Sequence, residues 1–480
     1  MSEQQRATGN GPTRKAGDPV LPRTAAGPTR RRLLQAGLAA GAAAGVGGGL
    51  SGIGKAAPRA ALRQPGSRTD PSLPAGTDTL PQIKHIVVLM MENHSYDNHL
   101  GMLRRQGADG FKLGSDGKPL AVNPYGDGRL QHAFRMPTTC QLLLKPSQTW
   151  TNSHIQLDGG KLDGFVKSGS GPVSMGYWQR ADLPFYYSLA SVFPLADRYF
   201  CSMLGPTFPN RRYLIAATSI GMINDTIPSP TAYPANGTIF DSLHKARVAW
   251  KDYYSALSVV PTIALFPKLL VRYHGHLAHI DDFFADAAAG KLPGFSLVEP
   301  NYLLTSEEDP QNIAPGEQFA AKVINAVMKG PAWKNTLLIW TFDEHGGYYD
   351  HVVPPRAIAP DNIPPAVNGG PSYTGFHQYG FRVPCVVVSP WARPSYVSHK
   401  IFDHTSICAL VETKWNLPAM TRRDANAHNM LDMLDLRAPA FRHPPKLDKP
   451  LLDAHPVEAL KCNVTGPGTI PPPGSISPAP

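Results

Sequence analysis

One pattern, met twice, constrains this chain more than any other: a continuous apolar run that stops abruptly at acids and amides. Leu337-Leu338-Ile339-Trp340-Thr341-Phe342 breaks into Asp343-Glu344-His345-Gly346-Gly347-Tyr348-Tyr349-Asp350-His351. Ile83 to Met91, with Lys84 and His85 its polar residues, breaks into Glu92-Asn93-His94-Ser95-Tyr96-Asp97. Short continuous apolar runs suit strands covered on both faces. Carboxylates at the end of such a strand are costly unless a cation or a proton compensates them. In open α/β sheets, ligands lie outside the carboxyl ends of the strands. The pattern predicts two strands that deliver Glu92, Asn93, Asp343 and Glu344 to one divalent metal ion. The all-oxygen set leaves the identity of that ion open. Gly346-Gly347 then serves a turn with close backbone approach. For any single Asp-Glu pair, a solvated acidic turn is the competing reading.

The rest of the chain supplies the frame. Gly294–Glu299 and Val383–Ser389 read as further buried strands, and Asp197–Phe200 as a short one. Leu183–Ala190 and Gly316–Met328 read as helices. Another helix runs from about Thr405, with Thr405 or Ser406 as N-cap, to about Asn416. A turn at Gly205-Pro206-Thr207 leads into a helix through Thr218, with Pro209 suited to its first position. Residues 101–180 are rich in Gly, Pro and Asn and read as surface loops. Strands alternating with helices predict an α/β fold, a three-layer α/β/α sandwich with a mainly parallel central sheet.

The net charge of +10 raises nucleic acid as a partner, but its location argues against it. Residues 1–70 hold eleven Lys/Arg against three Asp/Glu, so they carry +8 and leave +2 for everything else. A nearly neutral body lacks the basic surface that nucleic acid requires. The basic leader has its own reading. Thr29-Arg30-Arg31-Arg32-Leu33-Leu34-Gln35 has the form of a twin-arginine export signal, followed by an Ala/Gly-rich stretch too poor in large apolar residues to span a membrane. A disordered basic tail is the alternative. The expected organisation is a leader and linker over 1–75, a catalytic domain over 76–445 and a Pro-rich tail over 446–480. Export places the protein in the periplasm or cell envelope, or outside the cell. The five cysteines, an odd number without a CxxC spacing, argue against a cysteine-based zinc site and assign no disulfide.

Three segments have the chemistry to work together. Carboxylates and an amide oxygen hold a cation; Thr207 offers a hydroxyl that is a weak nucleophile until activated. Its helix start offers free N–H groups to phosphate. Together they describe phosphoryl transfer to a protein hydroxyl with a cation neutralising the developing charge. Asn210 and Arg211 are candidates to bind phosphate oxygens, and His154, His351 or His404 to handle a proton. Each has a plain structural alternative: Thr207 as turn residue or cap, Asn210 and Arg211 as helix-start residues, His351 bonded to a backbone carbonyl, His404 as part of a cap. His94 and His99 read as incidental.

In order along the chain, Glu92-Asn93-His94-Ser95-Tyr96-Asp97, Gly205-Pro206-Thr207-Phe208-Pro209-Asn210-Arg211, Asp343 to Pro355, Arg382 to Arg393 and Phe402 to Ser406 resemble the bacterial phosphoesterase family of phospholipases C and an acid phosphatase. The resemblance spans roughly residues 82–435 and implies an alkaline-phosphatase-like fold. It implies Glu92, Asn93, Asp343 and Glu344 as metal ligands, Thr207 as nucleophile and His154 near the phosphate. Threonine at the nucleophile position is similar to the phospholipase C branch. Asp309 stands where the family commonly has histidine, and an acid there repels a phosphate dianion more than a diester monoanion. The expectation is an exported phosphodiesterase of phospholipase C type, acting on a phospholipid with peripheral membrane contact and releasing diacylglycerol. An acid phosphatase acting on monoesters is the alternative. From a different class, an exported, non-catalytic metal-binding envelope protein is the other. Oligomeric state is left open.

Overall fold

The computed structural model describes residues 61–140, 146–255, 260–309, 311–454 and 476–477, all within one compact unit. The twin-arginine segment lies outside the described residues. Eight strands form the central sheet: β1 (His85–Met91), β2 (Leu195–Ala196), β3 (Trp250–Tyr254), β4 (Leu277–His279), β5 (Phe295–Val298), β6 (Thr336–Phe342), β7 (Cys385–Val388) and β8 (Val397–Ser398). Their order is β8-β2-β7-β6-β1-β5-β3-β4, and within this sheet β7 alone runs against the rest. Among the described residues, the helices that connect or flank the strands include α1 (Tyr96–Leu100), α2 (Trp150–Leu157), α3 (Pro184–Val192), α4 (Thr207–Ala216), α5 (Ile239–Lys245), α6 (Pro267–Tyr273), α7 (Ile280–Ala289), α8 (Ile313–Lys329) and α9 (His404–Trp415).

Every residue from Ile86 to Met91 and from Thr336 to Phe342 is buried. Alternate strand side chains point to opposite faces, so both faces are covered and the architecture is a three-layer α/β/α sandwich. Burying the six apolar residues of β1 contributes on the order of 10 kcal/mol. That offsets the several kcal/mol which each buried carboxylate at the strand end costs.

Register positions the site. β1 and β6 pair in parallel from His85↔Thr336 to Met91↔Phe342, so the two strands end at the same level. Glu92-Asn93 therefore emerges beside Asp343-Glu344, as the repeated strand-then-acid pattern implies.

Several local expectations shift. α9 is capped by Asp403, whose side chain and that of Ser406 form a reciprocal capping box; Thr405 and Ser406 lie inside the helix. α4 begins at Thr207, which puts Pro209 third rather than first, and ends at Ala216 because Ala217 turns left-handed (φ +55°). The strand expected over Asp197–Phe200 is Leu195–Ala196, with Tyr199 and Phe200 reduced to single bridges to Phe402 and Arg382. Residues 61–75, read as linker, are tied down: Gly66 N–H donates to the Ala419 carbonyl, and Asn416 donates to Asp70 and Leu73. Part of the Pro-rich tail is also engaged, since Ile476–Ser477 pairs with Leu130–Gln131. Cys140 is disulfide-bonded, whereas Cys201, Cys385 and Cys408 are free and buried. No described helix is long and apolar enough to cross a membrane.

Candidate active site

The matched ends of β1 and β6 lock together through backbone. Asp343 N–H donates to the Met91 carbonyl at 3.2 Å. Asp343 Oδ1 accepts the N–H groups of Asn93 (3.1 Å) and Glu344 (2.7 Å). Asn93 sits at φ +68°, a left-handed conformation that asparagine tolerates better than most residues. Gly346 (φ +65°) lies against it: a Cβ there would fall 1.9 Å from the Asn93 carbonyl oxygen. A Cβ on Gly347 would fall 2.6 Å from Ser147 N. The glycine pair is thus required by close backbone approach. Glu344 is buried and its Oε2 accepts the Gly346 N–H at 2.7 Å.

Thr207, the first residue of α4, meets this corner. Its hydroxyl donates to Asn93 Oδ1 at 3.3 Å. Asn210 does not reach outward to a substrate. Its Oδ1 accepts Met203 N–H at 3.1 Å and its Nδ2 donates to the carbonyls of Gly205 (2.9 Å) and Pro206 (3.1 Å), bracing the turn that presents Thr207. Arg211 is 1% exposed and holds carboxylates. Its Nε donates to Asp343 Oδ2 at 3.0 Å and one Nη to the Met91 carbonyl at 3.1 Å. Glu92 and Glu299 lie 3.8 and 3.9 Å from the guanidinium, and the Tyr302 ring stacks on it at 4.9 Å. Arg211 Nη1 has no hydrogen-bond partner, and Arg211 lines a cavity of 220 Å³ together with Glu92, Thr207, Phe208, Asp225 and Glu308.

The three candidate histidines sit apart from that cavity's lining. His404 is buried; its Nε2–H donates to the Asp343 carbonyl at 2.7 Å and its Nδ1 accepts the Tyr199 hydroxyl at 3.1 Å. Burial lowers its pKa to about 4 and holds it neutral, so it props the end of β6. His351 has both nitrogens committed, Nδ1 to Asp97 (2.6 Å) and Nε2 to Asp109 (3.2 Å). Burial pulls its pKa down, but the Asp97 carboxylate more than reverses this and raises it to about 9. It belongs to an ion cluster with Arg382, which pairs with Asp97 (3.1 Å) and Asp350 (2.9 Å). His154 donates from Nδ1 to the Trp150 carbonyl at 2.7 Å and stacks on Tyr373 at 4.0 Å. Its Nε2 is buried without a hydrogen-bond partner, and burial lowers its pKa to about 4.

Negative charge exceeds positive charge at the corner. Burial raises the Glu92 carboxyl well above the usual range, against the pull of Arg211, and raises Asp343 likewise. Glu92 Oε2 has no hydrogen-bond partner. An orphaned carboxylate oxygen, the Asn93 amide oxygen, the Thr207 hydroxyl and Asp343 are hard oxygen donors, which fits one divalent cation. A second grouping, His94, His99 and Glu307, brings three ligand atoms within 4.8 Å. Its atoms are spent on one another, however. His94 bonds Asn98 (2.8 Å) and the Glu307 carbonyl (2.9 Å), and His99 bonds Asn98 (2.9 Å) and Glu307 Oε2 (2.8 Å). These histidines are not incidental; they are a buried hydrogen-bond cluster behind the Asn93 loop.

Four residues of the corner escaped the sequence reading: Asp225, Glu299, Tyr302 and Glu308. Glu299 carries a legible signal, since it ends the buried run Phe295–Val298 and so repeats the strand-then-acid pattern a third time. Asp309, expected to face the phosphate, is buried and accepts the Tyr348 hydroxyl at 2.7 Å; the acid lining the cavity is its neighbour Glu308.

A hydroxyl at a helix start, hydrogen-bonded to an amide beside acids on adjacent strand ends of an α/β/α sandwich, suits a hydrolase of phosphoric esters. The chain belongs to the Phosphoesterase family, which it matches over residues 83–418. It is 32% identical over 440 residues to phospholipase C B of Mycobacterium tuberculosis, covering 78% of this chain and 82% of that protein. It is 32% identical over 413 residues to non-specific phospholipase C1 of Arabidopsis thaliana, covering 78% and 75%. Among solved structures it is similar to a protein in the alkaline phosphatase superfamily from Vibrio parahaemolyticus, with TM-score 0.36 and 11% identity over 76% of this chain and 72% of that one.

Proposed function

We propose that this phosphoesterase is an exported, metal-dependent phosphodiesterase of phospholipase C type that works through a phosphothreonine. The observation that carries this reading is the Thr207 hydroxyl, 3.3 Å from Asn93 Oδ1 at the corner shared with Asp343. Glu92, Asn93, Asp343 and Glu344 would hold the cation, which supplies charge neutralisation to the departing and attacking oxygens. Asn93 takes the Thr207 hydroxyl hydrogen bond and so turns the oxygen toward the cavity. Asn210 keeps the turn rigid, and Arg211 keeps Asp343 oriented. Thr207 Oγ1 forms a bond to phosphorus as the bond to the glycerol oxygen breaks. Diacylglycerol leaves with a proton, and water then hydrolyses the phosphothreonine, releasing the phosphorylated head group and restoring the hydroxyl.

Relatives named phospholipase C support a phospholipid substrate. Leu303, 61% exposed, lines the cavity beside Tyr302, and Leu304, 58% exposed, follows it on the same turn; both support approach to a lipid surface. The Arg30-Arg31-Arg32 leader supports export.

The test is hydrolysis of bis-p-nitrophenyl phosphate, p-nitrophenylphosphorylcholine and p-nitrophenyl phosphate, with metal analysis. Both diesters are expected to turn over, chelation to stop turnover, and Thr207→Ala to abolish it with the unfolding midpoint retained. Near-normal turnover by Thr207→Ala refutes the nucleophile assignment. Turnover of the monoester alone moves the reading to a phosphatase.

A further inference from the structure

Arg211 leaves one donor unspent at the Thr207 cavity. Nε donates to Asp343 Oδ2 and Nη2 to the Met91 carbonyl, whereas Nη1 has no hydrogen-bond partner among the described residues. A buried donor left unpaired is costly unless a bound group completes it. Glu299 Oε2 stands 3.9 Å from Nη1, beyond hydrogen-bond distance. Occupancy explains why the pair does not close. Oε2 already accepts the Tyr302 hydroxyl and the Thr262 hydroxyl (3.0 Å), and Oε1 accepts the Thr262 N–H at 2.8 Å. A carboxylate oxygen offers two lone-pair sites, so Oε2 is full. Tyr302 is itself fixed: its carbonyl accepts Gln311 Nε2 at 2.8 Å, and its ring covers the Arg211 guanidinium at 4.9 Å. Tyr302, Arg211 and Thr207 line the same cavity.

We propose that Tyr302 and Glu299 are positioning residues for Arg211: the Tyr302 hydroxyl fills the Glu299 oxygen that would otherwise capture Nη1, and so reserves that donor for an oxygen of the phosphoester at Thr207. The inference rests on the proposed reaction at Thr207 and deepens it by naming how the anion is gripped. Nε holds Asp343 and Nη1 meets the substrate, so one guanidinium serves both the strand end and the ester. Without the Tyr302 hydroxyl, Oε2 regains a free lone pair beside Nη1, and a charge-assisted hydrogen bond within the protein replaces the one to the substrate.

Tyr302→Phe keeps the ring and removes the hydroxyl. Calorimetric titration of the full chain with inorganic phosphate is expected to show about tenfold weaker binding than wild type, the loss of one hydrogen bond to a charged group. On bis-p-nitrophenyl phosphate the loss should fall on KM rather than kcat, as for an interaction made equally in ground and transition states. A second substitution separates positioning from packing. In Tyr302→Phe/Glu299→Gln the captor has lost its charge, and phosphate affinity should return to within about threefold of wild type. Glu299→Gln alone should bind phosphate at least as tightly as wild type, which judges the proposal even where Tyr302→Phe does not fold. Affinity of Tyr302→Phe within about twofold of wild type, an undiminished loss in the double variant, or weaker binding by Glu299→Gln overturns the proposal. Wild type that binds no phosphate overturns it too. Wild type that binds phosphate but hydrolyses neither diester nor monoester sinks the diesterase reading alone, because the titration still judges Tyr302.

Discussion

Gly346→Ala is the sharpest test of how the two strand ends are joined. Two costs are separable there. Alanine at φ +65° occupies the left-handed region, which costs roughly 1–2 kcal/mol. Its Cβ would also lie 1.9 Å from the Asn93 carbonyl oxygen, a distance no real contact tolerates. Relief requires the Asn93 loop or the Gly346 turn to retreat by about 1 Å, and misplacement on that scale costs on the order of 10²-fold in rate when it moves reacting groups. Asn93 is the group that receives the Thr207 hydroxyl, so the displacement falls on the partner of the proposed nucleophile. Gly159→Ala is the control. It has nearly the same φ, +63°, in the left-handed region, but nothing within 4 Å of the added Cβ. Denaturant unfolding and steady-state hydrolysis of bis-p-nitrophenyl phosphate should be measured on both. Gly159→Ala should lose about 1 kcal/mol of stability and little activity; Gly346→Ala should lose several-fold more stability and about a hundredfold in kcat. If the two variants behave alike, the claim that the glycine pair serves close approach of the two ligand segments is wrong.

Two further outcomes follow from the same structure. His351 has a folded pKa raised to about 9 from an ordinary 6.5, so its contribution is fully present below about pH 6.5 and disappears as pH rises through 9. The unfolding free-energy difference between wild type and His351→Asn should shrink by on the order of 3 kcal/mol from pH 6 to pH 10; a pH-independent difference would show that the Asp97 pairing is not ionic. Leu304, 58% exposed, is not part of the main hydrophobic core among the described residues, and Leu304→Asp should reduce retention on sedimented phosphatidylcholine vesicles without shifting turnover of the soluble p-nitrophenyl esters. Equal vesicle retention would place the lipid-facing surface elsewhere.

The strand ends were legible because a local pattern encodes them. A buried run that stops at Glu92-Asn93 or Asp343-Glu344 shows a cost that something must compensate, and parallel pairing of β1 with β6 brings the two costs to one corner. The glycine pair was legible for the same reason, since adjacent glycines beside acids imply backbone approach. Element boundaries were less so. Asp403 caps α9 because its own side chain reaches N3, and sequence spacing alone does not separate that cap from one made by Thr405 two residues later.

The histidines were not separable at all, and the reason is long-range. What each ring does depends on partners contributed by distant segments: Asp343 and Tyr199 for His404, Asp97 and Asp109 for His351, Trp150 and Tyr373 for His154. Identical residue types therefore become a prop, an ion-cluster cation and a neutral ring with an open nitrogen. Arg211 shows the same dependence most clearly. Beside a nucleophile turn, an arginine reads as a phosphate clamp. Burial to 1% exposure sets its guanidinium among Asp343, Glu92 and Glu299, with Nε bonded to Asp343, instead. Removing such a guanidinium would leave those acids buried and uncompensated, a penalty of several kcal/mol. Its orientation of Asp343 is thus inseparable from the stability of the corner, and any loss of activity in an Arg211 variant measures both at once.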